Sequence, residues 1–476
     1  MEKTIVLYPG LSVSHFFPMM QLSDALLAEG YAVTVALMDP SLKGDIALAT
    51  VIDRVSSSKP SDSFRRLPRI QDPPTIVHDA KFVVRYLDLV SRYHQHLHDL
   101  LVSMPPGSVH ALVVDVMSIG VLDVTGKLGI PVYALFPMSA SVLAACVQVS
   151  SIRAQVDGGQ PSFQGLGDTP LLLHGVPPVP ASHLFSEMLE SPSSEASKAM
   201  TNTMRRVHEA KGILVNTFAS LEPRAVEALS DPRCLPTMPS LYCVGPLVAG
   251  PGEATEQHEC LAWLDEQPEH SVVFLCFGSV GTGNHSRAQL KEIAMGLEKS
   301  GHMFLWVVRA PPHDDDDPEK PLDPRADPDL DDILPEGFLE RTNGRGLVLK
   351  LWAPQVDVLH HRATGAFVTH CGWNSVLEGI TAGVPMICWP LYAEQKMNKV
   401  FMVEEYGVGV EMVGWQQGLV KAEEVEAKVR LVMESEEGGK LRAQVMAHKQ
   451  AAAMAWEHGG SSRAAFGEFL LDTQAT

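Results

Sequence analysis

The chain is short of positive charge. Lys and Arg total 37 against 57 Asp and Glu, a net charge of −20 over 476 residues. A protein that grips nucleic-acid phosphates needs a basic surface, so no nucleic-acid partner is expected. Paired cysteines are lacking too. Cys146, Cys234, Cys243, Cys260, Cys276, Cys371 and Cys388 are odd in number and scattered, with no C-x-x-C. Neither a zinc ribbon nor a disulfide framework fits that spacing, and a reduced, cytoplasmic protein is the simplest expectation. The opening MEKTIVLYPG has too short an apolar run for a secretory signal. The uncharged stretch Leu128–Ile152 is interrupted by Gly129, Pro131, Pro137 and several serines. A membrane span needs about 20 mostly apolar helical residues, so this stretch reads as a buried strand, a turn and a buried helix, and no stable span is expected. No G-x-G-x-x-G follows the first apolar run, which weakens a nicotinamide-dependent reading.

What is present is an ordinary globular composition, 45% hydrophobic and 20% charged, arranged as alternating strands and helices. Thr4–Tyr8 and Ala32–Leu37 are strand-like runs flanking a helical pattern at Met19, Leu22 and Leu26. Strand, helix, strand implies a parallel sheet. Ala111–Val114, Pro131–Leu135 and Gly212–Val215 continue it. Residues 244–259 are rich in Gly and Pro and read as a linker. The alternation then restarts with Val272–Phe277, Phe304–Val308, Leu347–Leu351, Ala366–Thr369 and Pro385–Cys388. The fold class is α/β, two successive domains with parallel sheets. From Asp314 to Asp332 the chain holds ten acidic and two basic residues with four prolines, a solvated loop. Its Asp314–Asp317 run sits among prolines, so it reads as solvated charge and not as a metal site.

One segment carries chemistry. His370-Cys371-Gly372-Trp373-Asn374-Ser375 follows the strand-like Ala366–Thr369 and opens a helical pattern at Val376, Leu377 and Ile380. A glycine turn at a strand's C-terminal end, leading into a helix, is a natural anion site. Asn374 or Ser375 serving only as a helix cap is the plainer alternative. Neighbouring side chains in an extended chain diverge, so His370 and Cys371 make a poor catalytic pair.

Trp352–Gln395, from W-A-P-Q through H-C-G-W-N-S to the closing Gln, closely resembles the plant secondary product glycosyltransferase box of UDP-dependent glycosyltransferases. Gly212–Phe218, Trp263-Leu264-Asp265 and Phe277-Gly278-Ser279 resemble the same family. The resemblance implies a GT-B fold, two Rossmann-like domains facing across a cleft. Residues 1–243 would bind the acceptor and 260–460 the UDP-sugar, with a tail at 461–476 packing back on the first domain. Carried over by position, Trp352 would stack on uracil, with Ala353 and Gln355 bonding the base or ribose. Glu378 would accept from the ribose hydroxyls, and His370, Asn374, Ser375 and Ser279 would hold the diphosphate. Trp373, Glu394 and Gln395 would face the sugar. The closing Gln395 resembles glucose users.

His15 lies in the loop expected after the first strand. A lone His there is more often structural, but the loop resembles the family's G-H-x-x-P segment, whose His is the general base, with Ser14 replacing the usual Gly. Asp115, ending Ala111–Val114, matches the acidic partner of that His; a turn or cap Asp is the plain alternative. Phe16, Phe17, Met117, Met138 and Tyr392 are candidates for an apolar acceptor pocket, and Ser139 for a sugar contact.

The resemblance therefore implies transfer of glucose from UDP-glucose, a co-substrate, to a plant phenolic or flavonoid hydroxyl, with inversion and no further cofactor or metal. A monomer is expected. The alternatives are a C-glycosyltransferase on the same scaffold and a non-catalytic UDP-sugar-binding protein.

Overall fold

The computed structural model describes residues 3–38, 46–59, 63–73, 82–154, 163–235, 237–252, 258–278, 285–311 and 326–474. The chain divides into two compact units, residues 1–248 with 454–476, and residues 249–453.

The first unit is built on a seven-stranded sheet: β1 (Thr4–Tyr8), β2 (Ala32–Leu37), β3 (Ser63–Arg66), β4 (Val109–Asp115), β5 (Val132–Phe136), β6 (Gly212–Val215) and β7 (Ser240–Cys243). The order is β3-β2-β1-β4-β5-β6-β7 and every pairing is parallel. Central strands of such a sheet are covered on both faces, so they are continuous apolar runs: β1 and β5 are buried at every position. One face packs under helix α1 (Val13–Ala28) through Phe16, Met19, Leu22 and Leu26. The other packs under α2 (Phe82–Ser103), whose buried Val83, Tyr86, Leu89, Val90, Tyr93 and Leu97 recur at helical spacing. The uncharged stretch around residue 140 forms β5, a turn, and helix α3 (Ala140–Ala154). Among the described residues no helix is long and apolar enough to cross a membrane.

The second unit repeats the plan with six parallel strands: β8 (Val272–Cys276), β9 (Met303–Val308), β10 (Gly346–Lys350), β11 (Thr364–Thr369), β12 (Met386–Cys388) and β13 (Gly409–Glu411), in the order β10-β9-β8-β11-β12-β13. The sequence reading lacks β3, β7 and β13. All three are edge strands of three or four residues, and β3 (Ser-Phe-Arg-Arg) buries none of them fully. An edge strand answers to one neighbour and to water, so its composition carries little apolar signal. The acidic Asp314–Asp317 run lies outside the described residues. All seven cysteines are free thiols.

Helix α7 (Ser461–Gln474) packs on the first sheet. Phe469, fully buried, stands edge-on to Tyr133 and Tyr242 at 4.9 and 5.9 Å between ring centroids. Asp472 accepts hydrogen bonds from both phenols at 2.8 and 3.1 Å, and Lys211 Nζ donates to its main-chain carbonyl at 2.7 Å. Phe469→Ala should therefore cost the first unit about 3–5 kcal/mol in denaturant unfolding, the range for deleting a buried phenyl ring.

Candidate functional site

In each sheet the strand order reverses beside the first strand, and the crevice at such a switch, outside the carboxyl ends of the strands, is where open α/β sheets bind ligands. In the first sheet the switch lies between β1 and β4, where Tyr8 pairs with Val114. In the second it lies between β8 and β11, where Cys276 pairs with Thr369. His15 and Asp115 fall at the first of these places, and His370 with Trp373, Asn374 and Ser375 at the second.

At the first switch, His15 does not sit in a loop. Helix α1 starts at Val13, after Ser12 in extended conformation (φ −134°), and the His15 and Phe16 amides bond back to the Ser12 carbonyl at 3.1 and 2.9 Å. His15 is thus in the first helical turn. Ser14 takes ordinary helical geometry there with its side chain exposed, so the position makes no demand for glycine. His15 Nδ1 lies 2.6 Å from Asp115 Oδ2. A carboxylate oxygen accepts, so Nδ1 carries the proton and Nε2 is the basic nitrogen. Asp115 is fully buried, and its Oδ1 accepts from the Met117 amide at 2.9 Å. The turn-capping and His-pairing readings of Asp115 are therefore both true, one through each oxygen.

Two acceptor candidates are corrected. Phe16 is 0% exposed, in the core under α1 with Met19 and Leu22, because its place on the helix turns it to the sheet. Ser139 is also 0% exposed; its Oγ accepts from the Val142 amide at 3.0 Å and caps α3. Phe17, Met117, Met138 and Tyr392 are half-buried and keep some surface.

At the second switch, His370 directly follows β11, and Cys371 turns the chain with φ +65°. Helix α5 (Trp373–Ala382) is capped by Gly372, which brings no side chain to the opening N–H groups. Asn374 and Ser375 are its second and third residues, not its caps. The imidazole of His370 is wedged between glycines: a Cβ on Gly372 would lie 2.5 Å from Nε2, and one on Gly278, at the exit of β8, 2.7 Å from it. Nδ1 is buried and has no hydrogen-bond partner among the described residues. Burial, and then the Arg309 guanidinium, push His370 down to about 4, so it is neutral at pH 7. Arg309 was missed in the sequence. Its signal was position, one residue beyond β9 at the same sheet edge.

Helix α4 (Gln355–His360) adds the neighbouring groups. Gln355 Nε2 donates to Ser375 Oγ at 2.9 Å and to Glu378 Oε2 at 2.6 Å. Burial pushes the Glu378 carboxyl up to about 7, against the pull of that amide. Trp352 is 52% exposed, unusual for an indole, with His258 edge-on at 5.7 Å; Ala353 beside it is buried. Trp373 departs from expectation: its indole is buried, angled against Tyr406 at 6.3 Å, so only its main chain is near the helix end. Gln395 opens helix α6 (Gln395–Glu404), and its Oε1 accepts from the Leu391 and Tyr392 amides at 2.9 and 3.0 Å. Glu394 is half-buried at that helix's cap position. Burial and then Glu394 push the Tyr392 phenol up to about 12. Ser279 lies outside the described residues.

A bare indole face, a half-buried carboxyl beside an amide, and a helix end without a side-chain cap next to a neutral imidazole suit a base, a diol and a diphosphate in turn. That set defines a class of proteins that use nucleotide-linked substrates. Similarity to known proteins narrows the class to a family. The family described as UDP-glucoronosyl and UDP-glucosyl transferase matches residues 183–440. An anthocyanidin 5,3-O-glucosyltransferase of a Rosa hybrid cultivar is 38% identical over 473 residues, 96% of each chain. A phloretin 2'-O-glucosyltransferase of Pyrus communis is 38% identical over 97% of this chain and 98% of its own. Among solved structures, a Polygonum tinctorium UDP-glucosyltransferase capable of glucosylating indoxyl aligns with a TM-score of 0.87 and 34% identity over 100% of this chain and 99% of that one. Phytolacca americana UGT2, complexed with UDP-2fluoro-glucose and pterostilbene, aligns at 0.85 and 32% over 99% and 100%. The chain belongs to the plant family 1 UDP-glycosyltransferases, enzymes of GT-B fold.

Gly372→Ala isolates the wedge, because φ at Gly372 is an ordinary −63° and only space is at stake. It should displace the His370 ring and weaken UDP binding about tenfold, or about 1.4 kcal/mol by calorimetry.

Proposed function

We propose that the enzyme transfers glucose from UDP-glucose to a hydroxyl of a phenolic or flavonoid acceptor, with inversion at the anomeric carbon. The observation that carries the mechanism is the His15–Asp115 pair at the first switch. His15 Nε2 takes the acceptor proton as the acceptor oxygen bonds to the anomeric carbon. The bond from that carbon to the diphosphate oxygen breaks, and its electron pair leaves with UDP. Asp115 holds the Nδ1–H tautomer and stabilises the imidazolium that forms. Attack opposite the leaving group converts an α-linked donor into a β-glucoside. The glucosyltransferase relatives named above support both the sugar and a phenolic acceptor.

In this scheme Trp352 stacks on uracil, with Ala353 and Gln355 at the base or ribose and Glu378 on the ribose diol. His370 donates from Nε2 to the diphosphate, which leaves the orphaned Nδ1 as the unprotonated nitrogen. The first amides of α5, with Asn374, Ser375 and Ser279, complete the oxygen contacts, and Arg309 adds positive charge as the diphosphate leaves. Glu394 and Gln395 take the glucose hydroxyls. UDP-glucose is a co-substrate, and no cofactor enters the scheme.

His15→Ala should lower turnover of a phenolic acceptor by about 10²–10⁴-fold, the share of a general base, while UDP-glucose binding is retained; full activity in that variant would overturn the mechanism. A mass gain of one hexosyl unit checks the transfer, and acid lability of the product separates an O-glucoside from a C-glucoside.

Glu378 gives a pH signature. With its carboxyl near 7, the anion that accepts from a ribose diol is the minor form at pH 6 and the major form at pH 8. UDP-glucose affinity should therefore rise by up to about tenfold over that interval, as the competent fraction rises. The donor's diphosphate is a diester and does not titrate there, and His370 at about 4 is already neutral. Glu378→Gln should bind weakly and flatten the profile; an unchanged slope would remove Glu378 from the ribose.

A further inference from the structure

Two side chains of the first unit, Asp115 and Tyr86, crowd the backbone of Gly10, at the exit of β1. A Cβ on Gly10 would lie 2.9 Å from Asp115 Oδ1, 3.0 Å from Asp115 Cγ and 3.0 Å from the Tyr86 hydroxyl. The φ of Gly10 is not positive, so glycine serves close approach here, not an unusual backbone. One residue on, the Leu11 amide donates to Tyr86 Oη at 3.0 Å. Ser12 follows as the residue that starts α1, and its carbonyl accepts from the His15 amide. Tyr86 thus grips the chain between β1 and α1 four residues before His15, and beside the same face of Gly10 lies the carboxylate that His15 contacts.

Tyr86 is well placed as a fixed post. It is 7% exposed, in the middle of the buried face of α2 between Val83 and Leu89, with Phe82 against its ring at 5.9 Å. Its ring has few rotamers, and packing removes most of those. A short turn tied to such a post fixes the start of the following helix.

We infer that Tyr86 is a positioning residue for His15. Its hydroxyl anchors the Gly10–Ser12 turn so that α1 begins where His15 Nδ1 meets Asp115 Oδ2, and the tight fit at Gly10 keeps the turn, the phenol and the carboxylate in register. Tyr86 touches no reacting atom. The inference rests on His15 as general base, and a misplacement near 1 Å at such a group costs up to about 10²-fold in rate.

The test uses two acceptors with UDP-glucose in excess: a simple phenol, protonated at the assay pH, and a dinitrophenol, already ionised. A base is needed only for the first, so the rate ratio of phenol to dinitrophenol reports how well the base is placed. Tyr86→Phe should lower that ratio about tenfold with the KM for UDP-glucose unchanged, and Gly10→Ala, whose Cβ presses on both the Tyr86 hydroxyl and the Asp115 carboxylate, should do the same. A purely structural role would depress both acceptors alike and leave the ratio at its wild-type value. Thermal unfolding checks that each variant is folded; if Tyr86→Phe is not, Gly10→Ala, which keeps the tyrosine packing, decides. A wild-type ratio in the folded variant overturns the inference. His15→Ala runs in parallel. If it too keeps the wild-type ratio, the general-base reading itself fails; if it collapses the ratio while the others do not, only the role of Tyr86 fails.

Discussion

The reversal of strand order beside the first strand of each sheet is the constraint on which the rest depends. Parallel strands all present their carboxyl ends at one edge, and the chain leaves that edge in opposite directions on the two sides of the switch. The groups there come from two segments far apart in sequence yet adjacent in the ladder. His15 and Asp115 are a hundred residues apart and bonded. Gly278 and His370 come within contact distance by the same device. Catalytic pairing in the first unit and the phosphate wedge in the second are one topological feature filled with different side chains.

Filling it requires burying polar atoms. Glu378 and His370 both sit where burial works against their charged forms, the one raised and the other lowered. Each tolerates burial through local geometry: an amide donor for the carboxyl, and a neutral ring for the histidine. The unpartnered Nδ1 of His370 and the side-chain-free cap at Gly372 are poor choices for stability alone. They fit a site that reserves its hydrogen-bonding capacity for a ligand.

Much of this was legible in the sequence. The buried parallel strands announced themselves as apolar runs, and the long box from Trp352 to Gln395 named the family. Roles that depend on which way a side chain points were not legible. Phe16 and Trp373 are aromatic residues beside the expected sites, yet one faces the sheet and the other packs on Tyr406. Ser139 looks like a contact and is a cap. His15 was placed in a loop because the helical pattern was counted from Met19, whereas the backbone turns at Ser12. Tyr86 and Arg309 carry no motif; only helix packing on the sheet face brings the one, and strand pairing the other, to the chemistry.

Helix α7 carries a consequence for how the molecule is made. The first unit needs residues 454–476 to cover Tyr133 and Tyr242, whereas the second is complete in sequence at residue 453. On the ribosome, domains generally fold in the order they emerge. Here the half that emerges first is completed only after the second, with an apolar strip of its sheet uncovered until residues 454–476 have followed the second unit. That segment thus acts as a closing seal, and any exchange of halves between relatives has to carry the seal with the amino-terminal half.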